Sequence, residues 1–170
     1  DNAMILKDTR KAFTPAPEGL HQAVCVDFID LGQQDTPWGK KDKCEIRWQI
    51  ETRMDTGERF LVTNRYTASL NEKATLRAHL EAWRGRKFTP KELEGFDSEN
   101  LVGVNCQLQI IHVPGTKDPK AIFARIQAIV PISKSMPKMA VEDYTRVKDR
   151  VSPEDETHAP PVEEEDAVPF

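Results

Sequence analysis

The segment Trp38-Gly39-Lys40-Lys41-Asp42-Lys43 places one aromatic ring and three ammonium groups within six residues. That pairing suits a single-stranded polynucleotide, in which cations track the phosphates and a flat ring stacks on a base. A ring that closes one end of an apolar core is the competing reading of Trp38. Further candidates follow along the chain. Arg47 and Gln49 lie opposite the apolar residues of an alternating segment, Arg59, Arg65 and Tyr66 fall in the next, and Lys117, Lys120 and Arg125 come later. Phe60, Val62 and Tyr66 share one face of an extended segment, so Arg65 is favoured over Tyr66 as the groove-facing residue. Any one of these cations could be a solvated surface charge, and the set carries more weight than its members.

Residues for catalysis are harder to assemble. His21, His79, His112 and His158 are scattered, and there is no Cys-x-x-Cys, His-Glu-x-x-His, Gly-x-Ser-x-Gly or phosphate-cradling glycine loop. Asp27 and Asp30 stand three apart, which on a strand sends them to opposite faces. They read as surface or turn carboxylates, and we expect neither an enzyme nor a metal or organic cofactor.

The elements that must position the candidates follow from the pattern of apolar residues. Residues 5–20 carry Pro15 and Pro17 and read as an irregular lead-in, and Asp1-Asn2-Ala3 as a non-native remnant before a start at Met4. Residues 21–31 are apolar and β-branched up to Gly32 and predict a strand, and 33–42 a loop. Residues 43–52 alternate strictly, with Cys44, Ile46, Trp48 and Ile50 on one face and Glu45, Arg47, Gln49 and Glu51 on the other, the mark of a half-buried strand. The turn Met54-Asp55-Thr56-Gly57 leads into a third strand over 59–67. Ser69-Leu70-Asn71-Glu72 reads as a capping box for a helix whose stripe is Leu76, Leu80 and Trp83 and which ends at Gly85. Thr89-Pro90-Lys91-Glu92 opens one more helical turn. Strands are expected over 102–113 and 122–132, joined by a basic loop. Trp48 and Trp83 read as core. Arg84 and Arg86 either extend the basic surface or cap helix carbonyls.

Three strands, a helix and two strands is the connectivity of the OB-fold, so an all-β class is expected: a five-stranded barrel over 21–132 with a helix between strands three and four. Residues 133–150 read as a linker, with a short amphipathic helix at best over 140–150. Residues 151–170 hold seven acids, four prolines and no Lys or Arg, too little apolar surface to offset the entropy of ordering.

Composition bounds the class. The chain has 170 residues, 38% hydrophobic and 31% charged, enough for one modest domain with extensions. No apolar run reaches the ~18–20 residues needed to span a bilayer. No leader pattern precedes the body, and three cysteines within apolar runs (Cys25, Cys44, Cys106) read as buried thiols of a reducing cytoplasm. The net charge of −4 conceals an asymmetry. With the seven tail acids set aside, residues 1–150 hold 21 acids against 24 bases, a body of +3. Such a split points to nucleic acid or to a regulated partner.

The chain closes on Glu163-Glu164-Glu165-Asp166-Ala167-Val168-Pro169-Phe170. A terminal ring beside a terminal carboxylate suits an apolar pocket rimmed by Arg or Lys, with the acids steering approach. This end resembles the carboxyl-terminal tip of bacterial single-stranded DNA-binding proteins: Asp166, Pro169 and Phe170 match it, Val168 replaces a usual isoleucine, and Ala167 departs where an acid is common. The body, from Leu70 through Trp83-Arg84-Gly85-Arg86 to Gly95-Phe96-Asp97 and Leu101-Val102-Gly103, is similar to OB-fold single-stranded DNA-binding proteins of tailed phages and prophages. The resemblance covers roughly residues 10–132. It implies a protein that coats single-stranded DNA during phage replication or recombination in a bacterial cytoplasm. It also implies recruitment of replication, recombination or repair proteins through Glu163, Glu164, Glu165, Asp166, Val168, Pro169 and Phe170. No long Gly/Gln-rich linker is present, so a homo-oligomer stays open. Two alternatives remain: a strand-annealing mediator, and an OB module that binds RNA or a protein.

Overall fold

The computed structural model describes Met4 and residues 14–150. Its centre is a five-stranded antiparallel sheet in the order β3-β2-β1-β4-β5. The strands are β1 (Gly19–Thr36), β2 (Gly39–Arg53), β3 (Arg59–Thr67), β4 (Asn105–Pro114) and β5 (Ile122–Val130). The edge strands β3 and β5 are not paired with each other, so the sheet stays open. β1 is long enough to serve two neighbours. Its Gly19–Val24 stretch pairs with β4, while Ala23 to Thr36 pairs with β2.

The alternation in β2 sends Ile46, Trp48 and Ile50 into a core shared with Cys25, Val62, Tyr66, Leu108 and Ile110. A helix, α1 (Thr75–Arg84), contacts β3 and β5 and buries Leu76, Leu80 and Trp83. Each such side chain is worth ~1.5–3 kcal/mol of transfer free energy. The Trp83 and Trp48 rings lie 5.7 Å apart, and Trp83 Nε1 donates to the Asn105 carbonyl at 2.9 Å. Gly85 ends α1 at φ 74°, a left-handed conformation that a side chain disfavours. The short α2 (Pro90–Glu94) carries the full capping box from Thr89 and Glu92.

Four local expectations need correction. The Ser69 box does not form: Ser69 Oγ accepts from Asn71 N and Asn71 Oδ1 from Lys73 N, and α1 starts later, with Ala74 at its cap and no side-chain bond there. These short side chains spend their acceptors on local turns, the competition that makes Ser and Asn poor predictors of a helix start. The expected loop over 33–42 is a β-hairpin, its ladder running through Gln34↔Lys41 and Asp35↔Lys40 to Thr36↔Gly39. The Thr36 hydroxyl, which donates to the Gly39 carbonyl at 2.6 Å, closes its end, and Asp35 stands opposite Lys40 across the ladder. β4 begins only at Asn105, because Ser98–Leu101 forms a 3-10 turn first.

The fourth correction is the largest. Residues 137–150 take no helix beyond a 3-10 turn at Val147–Asp149 and instead lie as a strap over the polar face of β1, β2 and β3. β2 is therefore buried on both faces from Cys44 to Ile50 rather than half-buried.

Candidate nucleic-acid interface

Most of the basic and aromatic side chains singled out above fall into two groups, one open and one covered. The open group begins at the tip of the β1–β2 hairpin. Pro37 and Trp38 form its two-residue turn, Trp38 N–H donates to Thr36 Oγ1 at 3.2 Å, and Gly39 takes φ 101°. Trp38 is 49% exposed, whereas Trp48 and Trp83 are buried. Lys40 is exposed beside it and Lys41 half-exposed. Lys43 sits lower on the ladder, where its ammonium donates to Thr67 Oγ1 at 3.0 Å.

The β4–β5 loop carries exposed Lys117 and Lys120. Gly115 N–H donates to the Ala121 carbonyl at 2.8 Å, and Asp118 accepts from Lys120 and Ala121. A Cβ at Gly115 would stand 2.7 Å from the Phe123 ring and 2.8 Å from the Asp118 carbonyl, so this turn is closed to larger residues. Arg125 and Gln127 are exposed on β5. The β1–β2 tip lies at the C-terminal end of β1 and the β4–β5 loop beyond its N-terminal end, where β4 pairs with Gly19. The two basic loops thus leave the sheet at opposite ends of β1.

The covered group is Arg47, Gln49 and Arg59, with Arg65 at its open margin, its side chain 41% exposed but paired with Glu45. Arg47 is 5% exposed, and its Nε lies 2.5 Å from Glu45 Oε2, while Arg65 Nε reaches the other Glu45 oxygen at 2.9 Å. Gln49 clamps the strap main chain: its amide nitrogen donates to the Glu142 carbonyl, and its oxygen accepts from Glu142 N at 3.0 Å. Arg59 donates to the Ala140 carbonyl at 2.7 Å and lies 3.1 Å from the Glu142 carboxylate. These four side chains face the expected side of the sheet, but the chain's own residues occupy them. Tyr66 belongs to neither group. It is 1% exposed in the core, its hydroxyl 2.6 Å from His79 Nδ1, so it offers no ring to a base.

Asp27 anchors the strap and corrects the surface-carboxylate reading. A β-bulge between Cys25 and Asp27 turns Asp27 from the core side to stand opposite Arg47. There it is 1% exposed and accepts from Tyr144 Oη at 2.7 Å, Arg146 Nε at 2.5 Å and Val147 N at 3.0 Å. Burial and the bond to Asp27 push the Tyr144 phenol up. Asp30 stays exposed, bonded to Gly32 N. At the strap's other end Asn105 accepts from Met139 N and donates to its carbonyl, and Gln22 donates to the Pro137 carbonyl. Arg53, Glu142, Tyr144 and Arg146 were not singled out from sequence. A tyrosine amid regularly spaced charges over 142–150 was the available sign that this segment docks.

Arg84 and Arg86 both pair with Glu92, at 2.6 and 3.4 Å, and Arg84 also lies over the Phe88 ring. The Thr89 N–H and then Arg84 hold the Glu92 carboxyl down to about 2. All three cysteines are buried and unbridged, and burial pushes the Cys25 thiol up to about 12. Among the described residues no cluster of three or more His, Cys, Asp or Glu is placed to hold a metal ion, and no helix is long and apolar enough to cross a membrane. Glu163, Glu164, Glu165, Asp166, Val168, Pro169 and Phe170 lie outside the described residues, as does most of the lead-in.

Neither protein-family models nor characterised proteins give a match to this chain, so a functional reading rests on its own residues.

Proposed function

We propose that the chain is a single-stranded DNA-binding protein with little sequence preference, built on an OB-like body. In support of that topology, a long β1 is shared between β2 and β4, and a helix lies between β3 and β4. The observation that carries the functional reading is Trp38, 49% exposed at a hairpin tip with Lys40 and Lys41 beside it. A large aromatic side chain left in water at such a tip has no packing role, and stacking a base on it is worth ~1–3 kcal/mol. Lys117, Lys120 and Arg125 extend the cationic track from the other end of β1. Phosphate neutralisation supplies the sequence-independent part of the affinity, with a log–log salt slope of about −0.7 per phosphate on a single strand.

The acidic end supplies the second half of the proposal. Its Pro169-Phe170 terminus recruits replication, recombination or repair proteins in a phage-infected or lysogenic host. The test is competition. A labelled oligothymidylate bound to the full chain should be displaced by unlabelled single-stranded DNA and far less by duplex. Equal displacement by duplex rejects the single-strand reading, and preferential displacement by RNA moves the reading to an RNA-binding module.

A further inference from the structure

Arg53 and Arg59 stand at the two ends of the β2–β3 turn, paired with each other across the ladder. Between them lies the carboxylate of Glu142. Arg53 grips it with both terminal nitrogens, at 2.9 and 3.0 Å, and Arg59 Nε approaches its second oxygen at 3.1 Å. The bidentate Arg53 grip is the geometry that recognises a carboxylate or a phosphate alike, and Arg59 adds a second charge whose buried Nε makes no hydrogen bond of its own. The strap reaches it through a local kink, since Asp143 takes φ 46°, in the left-handed region.

The strap is fastened unevenly. On one side of Glu142 it is held by Asp27, a buried carboxylate with three donors, on the other by the buried Asn105 side chain, and at Glu142 itself by the Gln49 amide on the main chain, so only the carboxylate is loosely held. The Arg53–Glu142 pair between them is open to water, with side chains 45% and 41% exposed. Exposed pairs of this kind contribute little and are screened by salt.

We infer that Arg53 and Arg59 form a phosphate subsite for the polynucleotide backbone, which the Glu142 carboxylate fills when no nucleic acid is bound. A phosphodiester replaces the carboxylate beside the two arginines, and the Glu142 side chain swings into solvent while the Gln49 main-chain clamp and the Asp27 and Asn105 anchors hold. The subsite lies at the end of β2 away from Trp38, so it lengthens the track proposed above. This inference rests on the single-strand-binding reading.

The test is an anisotropy titration of a labelled oligothymidylate with the full chain at low salt. Glu142→Gln keeps the main-chain clamp made by Gln49 and removes only the carboxylate charge. Glu94→Gln removes the same charge from α2 and controls for net charge. Glu142→Gln should tighten binding by about three- to tenfold. Glu94→Gln should stay within about twofold of the unaltered chain, and the gain from Glu142→Gln should shrink by at least about half in an Arg53→Gln background. If Glu142→Gln and Glu94→Gln behave alike while the unaltered chain binds, the subsite is overturned and the function stands. If no form binds, both fall. If Glu142→Gln binds where the unaltered chain does not, both are supported.

Discussion

Asp27 and Arg146 stand 119 residues apart in the chain, yet Arg146 Nε lies 2.5 Å from Asp27 Oδ1. One carboxylate on β1 thereby fixes the far end of the strap, through two side chains and one main-chain N–H. Asp27→Ala leaves the Arg146 guanidinium and the Tyr144 hydroxyl without their acceptor at a nearly closed site. Breaking a buried pair from one side costs ~3–5 kcal/mol. Arg146 keeps some solvent and a second partner in Glu99, which argues for the lower end, about 3 kcal/mol. Urea unfolding measures it, and a loss below about 0.5 kcal/mol would show that the strap contributes nothing to the fold.

His79 makes stability depend on pH. Burial lowers its pKa from 6.5 to about 4 beside the Tyr66 hydroxyl. Between those values the unfolded chain carries the proton and the folded chain does not, so stability falls as pH drops from about 6.5 towards 4 and the effect saturates below that. The loss is on the order of 3 kcal/mol. His79→Asn should flatten that part of the profile in thermal melts recorded at several pH values. An unchanged profile would assign the pH response to other groups.

Much of the body was legible because its signals are local and periodic. The strict alternation from Cys44 to Glu51 set β2 and its core face, and the stripe Leu76, Leu80, Trp83 with Gly85 set α1. The strap was not legible, because no periodicity records which remote surface a segment lies on. Gln49 reads as a groove residue from alternation alone, and only the tertiary contact shows its amide clamped on Glu142. Asp27 was misread for a related reason. A bulge changes the side a residue faces, and nothing in the sequence around Cys25 marks it. Trp38, open from sequence between a stacking ring and one that closes the core, was assigned to a loop because Pro37 and Gly39 read as breakers, whereas Pro37 and Trp38 make a tight hairpin turn and Gly39 opens β2.

The opposite charges of body and tail give another expectation. Residues 163–170 carry four acids against a body of +3, and on the proposed single-strand-binding reading they compete with DNA for cationic sites at low salt. Removing 163–170 should raise affinity for a single strand at low salt, with the gain fading as salt shortens the Debye length to ~8 Å at physiological strength. The same deletion should abolish recruitment of replication proteins in a pull-down. Unchanged affinity at low salt would reject self-competition while leaving recruitment to be judged by the pull-down alone.

The central claim is that Trp38 stacks on an unpaired base, and intrinsic fluorescence reads it directly. Trp48 and Trp83 are buried at 0% and 4% exposure, so a change on adding oligonucleotide reports Trp38. Titration with single-stranded DNA should quench the emission, duplex should quench far less, and added salt should relieve it. Trp38→Ala should remove the quenching and weaken binding by ~1–3 kcal/mol. Emission unmoved by a saturating single strand, or an affinity that Trp38→Ala leaves intact, would contradict the account.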